Sequence, residues 1–405
     1  MRIGKSGSAV GRIGGFGSNV VLTGVASLLT IPVVSSYAGP ESWAAIAVGQ
    51  SIGTLAGAFV ALGWAQTGPT DVARSDNATR ARIYGDSLGT RFLAGLIALP
   101  PVLLLSFVLS HNDRLTTSGA AVSALLIAAG SNWFFVGMGS PRLLMLCDSA
   151  PRIVGLLVGM SMTMVSHDGV YTALGLAIGS AASILVSFNA IRRRYGAIVL
   201  PKICHVPAVV RGQVDGIGIA LFSTTYLSVP LLFLTALFPA STAAYGVLDR
   251  IKQQAMMAFT PVAQAAQGWV PQVRGDELRV RVVYTAKRAL VLGAVASALF
   301  VLFAYPAVAI LSAGKIAVDS SLVVPIGAAL GMNVATLVIG NTCLLALRAG
   351  REVFVSALGG TAAVVGLLAV LPSIMGPSGV AWAVAGAQLT VLLIQVLALR
   401  RKIRR

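Results

Sequence analysis

Acidic residues are scarce in this chain, with 13 Asp and Glu set against 30 Lys and Arg over 405 residues. Charge of either sign is thin, at 11% of the chain, where a soluble globular protein carries about a quarter. Cysteine is nearly missing: Cys147, Cys204 and Cys343 stand far apart with no CxxC pair. That spacing shows no metal or redox motif and leaves reduced thiols near or within the membrane as the expectation. Histidine is as rare, and no HExxH or GxSxG pattern occurs, so the usual zinc-hydrolase and serine-hydrolase arrangements are ruled out. Of the histidines, His111 and His167 fall in expected outer loops, where solvated side chains are expected. The glycine-rich stretch from Gly11 to Gly17 follows no strand and lacks the Walker lysine, so it makes no nucleotide cradle. The expectation is a non-enzyme with no cofactor and no ATP engine, in which any transport runs downhill or on an ion gradient.

Apolar sequence is what the chain has in quantity. Hydrophobic residues make up 56%, glycine numbers 44, and the mean hydropathy is +0.86. About twelve runs are long enough to cross a hydrocarbon core of ~30 Å as helices of roughly 20 residues. If the N-terminus is placed inside, all Lys and Arg fall on the inner side except Arg114 and Lys315 outside and Arg250 and Lys252 within a span. That is the bias expected of a polytopic membrane protein. The net charge of +17 therefore reads topology, not a nucleic-acid partner, and both termini are expected in the cytoplasm. Arg2, Lys5 and Arg12 before an apolar run imitate a signal peptide, but the run from Asn19 to Tyr37 exceeds an h-region of ~7–15 residues. It reads as a retained first span.

The expected spans are 17–38, 43–66, 88–110, 119–139, 152–166 and 170–191, then 213–237, 241–269, 288–312, 320–347, 353–373 and 378–399. The halves align faintly at an offset of about 200 residues. Pro32 meets Pro230, Gly63-Trp64 meets Gly268-Trp269, and Arg91 meets Arg288. Gly169-Val170 runs to Arg192-Arg193-Arg194 as Gly379-Val380 runs to Arg400-Arg401-Lys402. The fold class expected is all-α: two pseudo-symmetric six-helix bundles, 1–205 and 206–405, flanking a central cleft. An even number of spans per copy gives both the same orientation, as in parallel-repeat transporters. The basic stretch from Arg192 to Arg211, with Pro201 and Pro207, is the expected linker.

The sharpest local signal is Asp249-Arg250-Ile251-Lys252 in the eighth span. At 1.5 Å per residue from Ser241 these charges lie roughly 12–17 Å deep, where ionisable groups face a bundle interior or a wet cavity. Asp249 and Lys252 share a helical face, and Gln253 extends the stripe. Two cations against one carboxylate suit an anionic headgroup, Arg as a fork and Lys as a point charge. A structural ion pair is the other reading. Asn19, Gln50, Gln66, Gln264, Asn333, Asn341 and Gln388 can either line a cleft or bond between helices. Asp215 reads as interfacial. Arg74, Arg80, Arg82, Arg274, Arg279 and Arg281 read as topology and contact with anionic membrane lipid.

Asn132-Trp133-Phe134-Phe135-Val136-Gly137, followed by Arg142, Leu143 and Pro151-Arg152-Ile153, resembles a recurring stretch of bacterial polysaccharide flippases. These are the O-antigen and capsule type of the multidrug, oligosaccharidyl-lipid and polysaccharide (MOP) exporter superfamily. Pro32, Gly39 and Trp43 resemble its first two spans. The resemblance implies a twelve-helix, two-lobed protein of the bacterial inner membrane that moves undecaprenyl-diphosphate-linked oligosaccharide by alternating access for polysaccharide biosynthesis. It implies Arg250 and Lys252 on the diphosphate, Asp249 balancing or coupling charge, and Asn132 and Trp133 toward the cleft or its inner mouth. Proton or sodium coupling and polysaccharide assembly enzymes are the partners it brings. Family members often carry a charge in the first span, where this chain has Asn19. A drug or cation antiporter, a lipid II flippase (a family that commonly carries two extra spans), a small-anion permease and a non-transporting scaffold for glycan assembly are the alternatives.

Overall fold

The computed structural model describes residues 9–110, 113–201 and 206–404. Arg2, Lys5, His111 and Cys204 lie outside the described residues, as do the side chains of Arg12, Asp215 and Gln264. Every regular element among the described residues is helical, as the apolar runs require: a bilayer-spanning backbone must satisfy its hydrogen bonds within the segment. In chain order come α1 (Ala9–Tyr37), α2 (Pro40–Ala61), α3 (Trp64–Arg74), α4 (Asn77–Leu109), α5 (Arg114–Ala128) and α6 (Asn132–Gly137). Then follow α7 (Pro141–Leu143), a π-helical turn (Leu144–Ser149), α8 (Ala150–Ser166), α9 (Val170–Tyr195), α10 (Val206–Arg211) and α11 (Val214–Leu237). The chain closes with α12 (Thr242–Trp269), α13 (Gly275–Leu311), α14 (Ser320–Val338) with its π-helical end (Ile339–Leu344), α15 (Gly350–Met375) and α16 (Pro377–Arg404).

Ten helical segments among the described residues are long and apolar enough to cross a membrane. The chain is thus a multi-pass membrane protein. Helices α11 and α12, of 24 and 28 residues, stand at the seventh and eighth expected spans.

Hydropathy locates spans but misplaces their ends. Helix α4 begins at Asn77, well before 88, and α13 begins at Gly275, well before 288. The basic segments expected outside the spans continue them as helix. Asp76 caps α4 by accepting from the Thr79 amide at 3.0 Å, and pairs one turn apart, Arg82–Asp86 and Arg281–Glu277, line the extensions. The second expected span stops early at Ala61, where Leu62 (φ 47°) and Gly63 (φ 74°) turn left-handed. The fourth is broken between α5 and α6. The linker carries the short helix α10.

Contacts divide the chain into two compact units, Met1–Thr224 and Thr225–Arg405, with the division inside α11. Within the first, α2 and α4 pack on α5, α5 on α9, and α8 on α9. Within the second, α12 and α13 pack on α14, α14 on α16, and α15 on α16. Counted by span, the same pairs recur in each unit: second and third on fourth, fourth on sixth, fifth on sixth. Small residues bring these helices close. Gly155 and Gly159 of α8 face Gly175 and Gly179 of α9, and a Cβ at any of them would collide with the opposite backbone. This is how membrane helices gain packing without a hydrophobic driving force between them.

Candidate functional site

Helix α12 carries the charged stripe. Its sequence from Thr242 to Trp269 alternates apolar residues that bury, such as Tyr245, Val247 and Leu248, with a polar group two turns from its start. Asp249 and Lys252 are 7% and 5% exposed. The Lys252 Nζ lies 2.5 Å from Asp249 Oδ1, and Gln253 Nε2 donates to Asp249 Oδ2 at 2.7 Å. Both carboxylate oxygens are thereby engaged by groups one turn along the same helix. Arg250 is half-buried, with its Nε buried and without a hydrogen-bond partner. The cluster therefore holds one closed ion pair and one cation whose neighbouring carboxylate is already taken. Chemically it can bind an anion through Arg250, and it can give up Lys252 only by releasing Asp249.

The site residues expected in the first half are placed separately. Asn19 of α1 is buried and accepts from the Ser149 hydroxyl at 2.9 Å, leaving its Nδ2 without a partner. Gln50 is half-buried on α2. Asn132 is exposed, and its Oδ1 accepts from the Trp133 amide at 2.6 Å. Trp133 is 3% exposed within an aromatic cluster. Its ring centroid is 5.5 Å from Trp64 and 5.6 Å from Phe134. Gly68 permits this packing, since a Cβ there would enter the indole. Of the weaker candidates, Gln388 is buried, Asn333 is half-buried, and Gln66 and Asn341 are exposed.

Two charged features carried no role in the sequence reading. Arg91 of α4 is fully buried, and its Nη1 donates to the Gly130 carbonyl at 2.6 Å and its Nε to the Ser87 carbonyl at 3.2 Å. The guanidinium closes the C-terminal end of α5, where carbonyls lack helical partners and the dipole is negative. Its Cζ also lies 5.6 Å from the Trp133 ring centroid. The second feature is Asp148, 2% exposed in the π-helical turn, held by Arg152 Nη2 at 2.6 Å. Its one-turn spacing within an apolar stretch was the available signal. His167 is exposed, as expected of a loop residue, and its Nδ1 lies 3.1 Å from the Tyr37 carbonyl at the end of α1. A carbonyl only accepts, so Nδ1 carries the proton. Cys147 and Cys343 are free and buried.

No protein-family model and no curated protein matches the sequence. Solved structures do match over nearly the whole chain. One is the inward-facing conformation of a multidrug resistance MATE family transporter of the MOP superfamily, 17% identical, with 94% of each chain covered and a TM-score of 0.60. Another is the lipid II flippase MurJ in an inward closed conformation, 14% identical, with 96% of this chain and 89% of that one covered and a TM-score of 0.63. A third is a MOP superfamily transporter from Pyrococcus furiosus, described by the reverse polarity of its binding pocket. It is 16% identical, with 96% of this chain and 93% of that one covered and a TM-score of 0.52. At such identities the likeness shows the fold alone, the helical fold that these solved structures share with this chain.

Proposed function

We propose that this chain is a flippase that moves undecaprenyl-diphosphate-linked oligosaccharide across the bacterial inner membrane by alternating access. The fold is shared with both a drug transporter and a lipid II flippase, so it does not choose the substrate. Charge supports the choice. The single observation that carries the reading is the α12 cluster, where Asp249 is neutralised by Lys252 and Arg250 is left as a surplus cation. A site for amphipathic cations needs the opposite surplus. The diphosphate competes with Asp249 for Lys252 while Arg250 supplies fork-shaped donors to it. The carboxylate so released is the group that takes a proton or sodium ion on the return step.

Binding to the purified protein in detergent tests this reading. Undecaprenyl diphosphate binds the wild type, and Arg250→Gln weakens it by about tenfold, the worth of one hydrogen bond to a charged group. Binding of a lipophilic cation that is abolished by Asp249→Asn, with no binding of the diphosphate, assigns the chain to drug or cation export instead.

A further inference from the structure

A groove of about 530 Å³ lies between the start of α15 and the end of α16, wholly within the second unit. Its walls are apolar: Val355 on one helix, Ile394 and Leu397 on the other. Its rim is basic, formed by Arg351, Arg401 and Lys402 around a single carboxylate, Glu352. Ile394, Leu397 and Arg401 follow one another at helical spacing, so apolar wall and basic rim belong to one face of α16. Lys402 Nζ holds Glu352 at 3.2 Å, and among the described residues no ion pair engages Arg351 or Arg401, both exposed. The rim thus has two guanidinium groups in surplus.

From this juxtaposition we infer that the groove between α15 and α16 binds an anionic phospholipid. The guanidinium groups hold the phosphodiester and the acyl chain lies along the apolar wall. A soluble anion explains the rim but not the wall. Val355 and Leu397 are 45% and 51% exposed, and the apolar surface continues along both helices through Leu358 and Leu393, 42% and 53% exposed. Exposed apolar surface leading away from a cationic rim matches a lipid, which is charged at one end only. The rim lies on the side to which the basic residues are biased, and anionic lipids enrich the cytoplasmic leaflet that this bias faces. A second basic-edged groove of this unit, beside Tyr284, has its Arg288 stacked on that ring at 4.0 Å. At the α15–α16 rim, by contrast, neither guanidinium is held in an ion pair or stacked on a ring among the described residues.

The full-length protein carrying Leu397→Cys and Cys204→Ser, labelled with bimane and reconstituted in phosphatidylcholine, reads this groove directly. Brominated phosphatidylglycerol at low mole fraction quenches the label more than brominated phosphatidylcholine does at the same fraction. Adding Arg351→Gln and Arg401→Gln lowers the selectivity roughly fivefold for each charge removed. These surface substitutions leave the thermal transition in detergent unchanged, so lost selectivity is not lost fold. Equal quenching by the two lipids in the labelled parent, or unchanged selectivity in the double glutamine variant, overturns the assignment. Selectivity abolished by soluble glycerophosphate also overturns it, because the rim then binds a free anion and not a membrane lipid.

Discussion

At the residue scale, the closed pair in α12 makes its two members unequal partners to Arg250. Lys252→Met leaves Asp249 buried with only Gln253 hydrogen-bonded to it and its charge offset by Arg250 without an ion-pair contact, and breaking a buried pair by removing one partner costs about 3–5 kcal/mol. Removing both charges, as Asp249→Leu with Lys252→Met, returns stability to near the parent, because a buried pair is worth little against apolar groups of similar size. Chemical denaturation in detergent measures both. A Lys252→Met protein as stable as the parent would mean that the pair is solvated and not buried. When Arg250 is removed Asp249 keeps Lys252 and Gln253, so the loss is expected to cost function and not fold. Asp249 and Lys252 were legible because their contact is three residues along one helix. The bond from Ser149 to Asn19 spans 130 residues and is written in no local pattern. The family resemblance places Trp133 toward the cleft or its inner mouth, and nothing near it in sequence names Gly68 as the residue its ring packs against.

Elements were legible in position and far less so in extent. Apolar content marks where helix is buried in lipid, but helix termination depends on caps and side-chain pairs, which hydropathy does not contain. Asp76 and Asp319 show the difference. The Thr79 side chain and amide donate to Asp76, and the Ser321 amide and side chain donate to Asp319, so both carboxyls sit below the ordinary carboxylate range. A lowered folded pKa adds stability that is fully present above the unfolded value of about 3.9 and is lost as pH falls through the folded one. The acid limb of a pH–stability profile is therefore expected to flatten in Asp76→Asn with Asp319→Asn, which keeps caps that do not titrate. An unchanged limb would remove the capping account. Packing between elements is tested at α8 and α9. A side chain at Gly159 meets the Tyr171 carbonyl and the Thr172 and Gly175 backbones, whereas one at Gly366 of α15 meets nothing within 4 Å. Gly159→Leu is expected to cost roughly 1–3 kcal/mol of strain, and Gly366→Leu to leave the thermal transition where it is. Equal effects would mean that the α8–α9 contact is looser than the structure places it.

For the whole molecule, the repeat was faint in sequence because only scattered prolines, glycines and terminal basic runs survive in it. It is plain in the packing, where each unit builds the same pairs of spans. The substrate was the least legible property, since a fold common to drug transporters and a lipid flippase fixes architecture and leaves chemistry to a few charged side chains. Charge asymmetry predicts the orientation, which is open to direct test. Ala317→Cys, exposed in the turn beside Lys315, is expected to react with an impermeant thiol reagent applied outside, and Arg194→Cys at the end of α9 is not. The reverse pattern would invert the topology. The most direct measurement of the central claim is a leaflet assay in cells lacking this gene and any redundant flippase, following undecaprenyl-linked oligosaccharide on each face of the inner membrane. The account predicts build-up on the inner face, relieved by the wild-type gene and not by Arg250→Gln inserted at equal level. An unchanged distribution on loss of the gene, or full relief by Arg250→Gln, would contradict it.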